Sequence, residues 1–274
     1  HLITLAVLGQ NTSTITYIAN EGFMIEQAGK KVLIDGLFDN INEDWCDSPT
    51  DAMISSMKMA RAPFDDIDIV LVSHNHRDHF NTDVVSAFLR NSPKTLLICT
   101  KQALEMLLHH QYYPEVKNRI LAMTPPHFYD TSFFVSEIGL KIMRMEHSHY
   151  MIPDSTGSKM INKHSNVENL GFIIDINGIT YFHSGDSNPK DEEAISAFFS
   201  NSPENIEVAF LDRGFISQGK SPENIIEKYI RLDYTFIMHL APGDTKEFND
   251  YFSDDPYTLV LQNKMDQTTI TFEK

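Results

Sequence analysis

Three histidines and an aspartate lie within six residues, in the pattern His-x-His-x-Asp-His formed by His74, His76, Asp78 and His79. They follow residues 69–72, a short apolar run that is typical of a buried strand. A strand that ends in this cluster brings neutral imidazoles and a carboxylate into one small volume. Zinc, iron and manganese accept these ligand types. A single histidine beside a strand is usually structural, but four ligand-type side chains at this spacing predict a metal site.

Further ligand-type residues follow three later predicted strands. His147 and His149 lie in one short stretch after an alternating strand, Asp186 follows the second arm of a hairpin, and His239 follows a late strand. Each of these residues taken alone is more often structural, but their recurrence at strand ends favours one shared site. Between the two neighbouring histidines we prefer His147, because it ends its strand directly, and His149 is the alternative.

Strands and amphipathic helices alternate along the chain. Asn177-Gly178 between two apolar runs indicates a type I′ hairpin, and Ser48-Pro49 and Ser221-Pro222 are typical helix starts. Residues 151–167 predict a long loop, or a lid, beside the third histidine ligand. Strands interspersed with helices in this way favour two sheets covered by helices, a layered α/β architecture. The predicted strands are 14–19, 23–26, 32–35, 69–72, 95–99, 119–123, 140–145, 170–176, 179–183, 208–211, 234–238 and 268–272, and the predicted helices are 49–60, 82–89, 102–110, 191–199 and 221–230.

The charge balance limits the partners of the chain. With 22 Lys and Arg against 38 Asp and Glu, the net charge of −16 argues against a broad nucleic-acid-binding face. A small-molecule substrate is therefore expected. The two cysteines, Cys46 and Cys99, give little support to a disulfide, because one lies in an acidic loop and the other in an apolar run.

The amino terminus has two interpretations. Residues 2–9 are apolar and end in a small residue before a polar segment, which resembles the end of a secretory signal but also fits a first strand. We assign residues 1–13 to a signal remnant or an extra strand, and residues 14–274 to a single domain, because no linker or repeat divides them. An exported, periplasmic location is favoured over a cytoplasmic one. No stretch is long enough for a transmembrane helix, so stable membrane insertion is not expected.

The motif set resembles the metallo-β-lactamase-fold hydrolase superfamily. The resemblance rests on His-x-His-x-Asp-His after an apolar strand, a later histidine, Ser-Gly-Asp after a hairpin, and a final histidine, and it extends from Asn20 to His239. It implies a four-layer αββα sandwich. It also implies two divalent metal ions, with zinc favoured and manganese or iron as alternatives.

The resemblance also implies a role for each ligand. His74, His76 and His147 would hold the first metal, Asp78, His79 and His239 the second, and Asp186 would bridge them. True β-lactamases of this fold commonly have cysteine at the place of Asp186, so this pattern is more similar to the lactonase, glyoxalase and phosphodiesterase branches. His76 at the middle position, where the diiron oxygen reductases have glutamate, argues against that branch.

The resemblance implies hydrolysis by a metal-bound hydroxide. Two cations lower the pKa of a shared water and polarise the oxygen under attack. Asp78 or Asp186 would orient the nucleophile and move its proton, and Tyr150 would donate to a developing oxyanion. Ser73, Asn75 and Ser184 are placed to orient ligands.

The substrate remains open between three chemistries. The short layout is most similar to the lactonase-like branch that includes ascorbate-6-phosphate lactonase, so a small cyclic ester or related carbonyl compound is expected. A metal-dependent phosphodiesterase and an iron-dependent sulfur-oxidising enzyme of the same fold are the alternatives. A metal-binding protein without turnover is the less favoured reading, because the ligand set is complete.

Overall fold

Two seven-stranded sheets face each other in the computed structural model, which describes residues 11–200, 205–216 and 225–273. The strands are β1 (Asn11–Ala19), β2 (Gly22–Gln27), β3 (Lys30–Ile34), β4 (Ile69–Leu71), β5 (Leu96–Cys99), β6 (Ile120–Ala122), β7 (Asp130–Val135), β8 (Ile138–Met145), β9 (Met151–Pro153), β10 (Met160–Asn162), β11 (Asn169–Ile176), β12 (Ile179–His183), β13 (Asn205–Asp212), β14 (Arg231–Met238), β15 (Thr258–Leu259) and β16 (Gln267–Phe272). The helices are α1 (Asp51–Lys58), α2 (Thr82–Asn91), α3 (Lys101–Leu107), α4 (Tyr113–Val116), α5 (Glu192–Phe199) and α6 (Thr245–Tyr251), with 3₁₀ turns at Lys117–Arg119, Arg213–Phe215 and Ile225–Lys228.

Each sheet combines antiparallel and parallel pairs. The first sheet has the order β16-β1-β2-β3-β4-β5-β6, and its strands run parallel from β3 onward. The second has the order β15-β14-β13-β12-β11-β8-β7, with parallel pairs from β12 to β15. β9 and β10 form a separate two-stranded hairpin. Parallel pairs need crossover connections, and these carry helices onto the outer faces.

Apolar residues fill three layers between these elements. The central layer lies between the sheets and combines Ile15 and Phe23 of the first sheet with Phe172 and Phe210 of the second. A second layer packs the outer face of the first sheet against α1, α2 and α3. A third packs the outer face of the second sheet against α5. The predicted four-layer αββα sandwich is confirmed.

The predicted elements agree with the structure except at a few places. The first helix begins at Asp51 with Thr50 as its N-cap, so the predicted cap at Ser48 is wrong; the Thr50 hydroxyl accepts from the Met53 backbone N–H. The strands β7 and β15, the short helices α4 and α6 and the hairpin β9–β10 were not predicted, and the hairpin lies inside the predicted loop 151–167. The described part of the predicted helix 221–230 forms only a 3₁₀ turn, Ile225–Lys228. The signal-like residues 2–9 and the helix start at Ser221-Pro222 lie outside the described residues, whereas residues 11–13 belong to β1.

None of the helices in the described part of the chain is long and apolar enough to cross a membrane.

Candidate metal centre

The motif loop after β4 folds tightly enough to gather its histidine rings. The backbone N–H groups of His79 and Phe80 both donate to the His76 carbonyl, at 3.1 and 3.0 Å. As a result, the ring centroid of His74 lies 4.5 Å from that of His76 and 4.0 Å from that of His79. The side chain of Asn81 then caps α2, which fixes the end of the loop.

A first group of potential ligands combines the motif with residues from the second sheet. One ligand atom each from His74, His76, His147 and Asp186 lies within 4.8 Å of all the others. The His147 Nε2 atom is 3.2 Å from His76 Nδ1 and 3.3 Å from Asp186 Oδ2. Because His147 follows β8 and Asp186 follows β12, both sheets contribute to this group.

A second group lies on the other side of the Asp186 carboxylate. It combines Glu21, His79, Asp186 and His239, again with ligand atoms within 4.8 Å of one another. The Asp78 Oδ2 atom is 3.6 Å from the Nε2 atoms of both His79 and His239. The two groups contain six of the seven residues that the sequence placed in a metal site, and the seventh, Asp78, lies beside the second group.

Asp186 is shared by the two groups through different oxygen atoms. Its Oδ1 atom is 3.2 Å from His79 Nε2 in the second group. Its Oδ2 atom is 3.3 Å from His147 Nε2 and 3.8 Å from His74 Nε2 in the first. This is the arrangement expected of a carboxylate that bridges two cations.

Hydrogen bonds behind the rings fix which nitrogen of each histidine faces the centre. Asp35 Oδ2 lies 3.0 Å from His79 Nδ1, and it also accepts from the Ser73 hydroxyl at 2.5 Å. The Ser73 oxygen is in turn 3.0 Å from His74 Nδ1. Such outer partners hold the Nδ1 proton and leave Nε2 free to bind a metal.

His239 and His147 are oriented in the same way. His239 Nδ1 is 3.0 Å from Asp212 Oδ2, and its Nε2 atom faces Asp78. His147 Nδ1 is 2.9 Å from the Ser148 carbonyl, which directs Nε2 toward the first group. Of the other outer partners predicted from the sequence, Asn75 contacts only Met106 in the described structure, so that prediction is wrong.

Three of the atoms that face the centre make no hydrogen bond with another described residue. His74 Nε2, His79 Nε2 and Asp186 Oδ1 are buried and make no hydrogen bond among the described residues. Buried polar atoms are nearly always paired, so unpaired nitrogen and carboxylate atoms that converge on one point fit a cation. The residues present therefore suit divalent metal ions.

The two groups differ in their electrostatics. Burial, together with neighbouring imidazoles, lowers the pKa of His74 well below its usual range and that of His76 to about 4. Burial also lowers the pKa of His79, but Asp186 and Asp78 outweigh it and the net shift is upward. For His239 burial is likewise outweighed, by Asp186 and Asp212. In the first group, His74 and His76 are thus neutral imidazoles. In the second group, the surrounding carboxylates favour positive charge on His79 and His239.

Three of the twelve described non-glycine residues with positive φ angles lie at this centre. Asn20, Asp35 and His239 all have positive φ angles, at 51°, 44° and 61°. Non-glycine residues rarely adopt this region, and such residues cluster at functional sites. At Gly185, with φ of 50°, an added Cβ would lie 2.6 Å from Asn169 Oδ1 and 2.9 Å from Ser73 Cβ.

The remaining predicted residues lie at the rim. His149 is exposed and pairs with Glu146 at 2.9 Å, away from both groups. Tyr150 is half exposed, and its ring centroid is 5.5 Å from that of His164. His164, which the sequence favoured as a solvent-exposed loop residue, is half buried, and its Nδ1 atom lies 3.1 Å from His147 Nδ1.

A cavity of about 580 Å³ adjoins the first group. It is bounded by His76, Asn75, Met106 and Lys163, among others. A larger cavity of about 930 Å³ lies at the amino-terminal ends of β13 and β14, the opposite ends of these strands from Asp212 and His239. Because the ligand groups lie at the carboxyl ends, only the smaller cavity adjoins them.

Comparison with known proteins agrees with this geometry. The profile of the beta-lactamase superfamily domain matches residues 30–250. The chain belongs to this superfamily. Membership in the metallo-β-lactamase superfamily supports the prediction of a metal-dependent hydrolase. No curated protein matches the sequence.

Solved structures share the superfamily fold at low sequence identity. A metallo hydrolase from Ignicoccus hospitalis is 17% identical with a TM-score of 0.59, covering 96% of this chain and 100% of its own. An isothiocyanate hydrolase from Delia radicum gut bacteria is 13% identical with a TM-score of 0.61, covering 94% and 100%. The diiron β-hydroxylase CmlA from Streptomyces venezuelae is 9% identical with a TM-score of 0.55, covering 95% of this chain and 54% of its own. These likenesses establish the fold.

Sequence reasoning missed four residues of this superfamily site: Glu21, Asp35, His164 and Asp212. Asp35 and Asp212 each stand at the end of an apolar strand, the same signal that revealed the other ligands. Glu21 lies in a tight turn and His164 in a polar segment, where the sequence carries no comparable signal.

Proposed function

We propose that this protein is a dinuclear metal-dependent hydrolase of a small lactone or related carbonyl compound. The observation that carries the proposal is the pair of ligand groups on either side of Asp186, with one carboxylate oxygen directed to each. His74, His76 and His147 would hold the first ion, and Asp78, His79 and His239 the second. Zinc is favoured because it accepts this mixture of nitrogen and oxygen ligands.

When bound, two divalent ions supply an activated water and polarise the oxygen under attack. The chain's own residues then position the attacking water and transfer its proton to the leaving group. Asp78 accepts a hydrogen bond from Asn20 Nδ2 at 3.2 Å, which fixes the carboxylate that would take the proton of the attacking water. Asp186, held between both groups, would share this role and pass the proton to the leaving group.

Tyr150 is proposed to donate a hydrogen bond to the developing oxyanion. Its half-exposed ring lies beside His164, and His164 contacts the first group through His147. The Tyr150 ring therefore lies near the first group, at the exposed rim of the centre.

The surroundings of the centre support a small substrate. The adjoining cavity of about 580 Å³ is in the size range of small-molecule sites. The net charge of −16 disfavours a polynucleotide. Lys163, which borders the cavity, offers a positive charge to an anionic group on the substrate.

The test is proton release by zinc- or manganese-loaded protein with lactones, thioesters, β-lactams and phosphodiesters. We expect lactone turnover that is abolished by His76→Ala and reduced, with little change in KM, by Tyr150→Phe. If the protein turns over only the phosphodiesters, its substrate is a phosphoryl compound and not a carbonyl compound. A protein that holds its metal but turns over nothing in the panel would contradict the proposal.

A further inference from the structure

The turn between β1 and β2 points inward instead of toward solvent. Asn20 and Glu21 form this two-residue connection, since Ala19 pairs directly with Gly22. Hairpin turns normally lie at the surface, yet Asn20 is 1% exposed and Glu21 is 0% exposed. The His183 Nε2–H group donates to the Glu21 carbonyl at 3.0 Å, which fixes the turn beneath the centre.

The Glu21 carboxyl group has no partner of its own. Neither oxygen makes a hydrogen bond within the described structure. The nearest histidine nitrogens are His79 Nδ1 at 3.6 Å and His239 Nδ1 at 4.0 Å. Both are already bound, one to Asp35 and the other to Asp212. A fully buried carboxyl without compensation is costly, so such a group calls for a nearby cation.

Resting on the proposed dinuclear site, we infer that Glu21 is an additional carboxylate of the second metal site and makes that site bind manganese more tightly than the first site does. Its carboxylate lies within 4.8 Å of ligand atoms of His79, Asp186 and His239. With Asp78, the second site then has three carboxylates and two imidazoles.

The first site has the opposite balance. It has three imidazoles, from His74, His76 and His147, and one shared carboxylate from Asp186. Carboxylate-rich sites suit manganese, whereas imidazole suits zinc and other later metals. The second site should therefore have the higher affinity for manganese, although each site binds zinc more tightly than manganese.

The experiment measures metal binding without any substrate. Metal-stripped protein is titrated with Mn²⁺ while free Mn²⁺ is followed by electron paramagnetic resonance, and the metal content after loading with equal Mn²⁺ and Zn²⁺ is measured by mass spectrometry. We expect two ions per chain, and a higher share of Mn²⁺ after mixed loading in the wild type than in the Glu21→Gln variant. Glu21→Gln keeps the shape of the side chain and removes its charge. It should weaken Mn²⁺ binding at the second site by about 10–100-fold and zinc binding by less.

Two further variants make the result specific. Glu26→Gln, on the strand β2 that follows the turn but paired with Lys31 at 3.3 Å, should leave metal binding unchanged. Glu21→Asp moves the carboxylate back by one methylene, so it should weaken Mn²⁺ at the second site even if Glu21→Gln does not fold. Wild-type Mn²⁺ affinity in a folded Glu21→Gln or in Glu21→Asp would overturn the inference. Lactone turnover that is absent while these metal affinities hold would overturn the substrate alone.

Discussion

Two positions separate His147 from His149, and the two side chains have different surroundings. His147 is 2% exposed and faces His76 and Asp186, whereas His149 is exposed and pairs with Glu146. His147→Ala should therefore remove one of the two metals and abolish turnover. His149→Ala serves as the matched control and should keep both. Metal content after dialysis checks this, and loss of metal in His149→Ala instead would reverse the assignment.

Asp212 contacts the centre only through another residue. Its Oδ2 atom holds His239 Nδ1, and its Oδ1 atom accepts from the Gly214 N–H. Asp212→Asn keeps the size but removes the charge that supports the imidazole, so second-site metal affinity should fall by about 10–100-fold. Competition with a chelator measures this fall. Asp233→Asn, which disturbs a pair with Arg231 and a hydrogen bond from Asn205, is the control and should bind metal normally; an equal loss in both variants would contradict the role of Asp212.

At the scale of elements, the close approach of three segments at Gly185 fixes the Asp186 loop. This residue has a positive φ, and a Cβ there would collide with Asn169 and Ser73. Gly185→Ala should lower the free energy of unfolding by about 1–3 kcal/mol or more, from strain and overpacking. Gly157→Ala has a similar φ of 70° but open space around it, so it should cost only about 1–2 kcal/mol. Urea unfolding compares the two, and equal losses would show that the collision is relieved.

The elements that sequence reasoning predicted well are those with strong local signals. Asn177 and Gly178 have positive φ angles of 54° and 77°, so the hairpin signal describes the turn directly. The strands β11 and β12 on either side are largely apolar because both of their faces are covered. By contrast, β7 is largely exposed and forms the sheet edge, so its residues show no clear pattern.

The ligands could be predicted because of where the strands end. Any histidine or aspartate that directly follows a buried strand reaches the same edge of the sandwich, as His147 and Asp186 do. Glu21 could not be predicted in this way, because burial of a turn depends on what packs over it. The turn is covered by residues of the second sheet, such as His183, which lie far from the turn in the sequence.

At the scale of the whole molecule, metal should govern stability. Ions that bind the folded chain and not the unfolded one stabilise it by about 2.7 kcal/mol at a hundredfold excess over Kd. Stripping the metal should therefore lower Tm by several degrees, and adding metal back should restore it. A thermal scan with and without chelator measures the change. An unchanged Tm would mean that the ions do not stabilise the folded chain.

The ligands also lie far apart along the chain. His74 and His239 enclose more than half of the sequence, and within the described residues both cysteines are free. An ion held jointly by such distant residues closes a long loop, as a covalent cross-link would, and the entropy of the unfolded chain falls accordingly. In this protein, coordination bonds would take the place that disulfides occupy elsewhere. They would form or dissolve with the supply of metal instead of with the redox state.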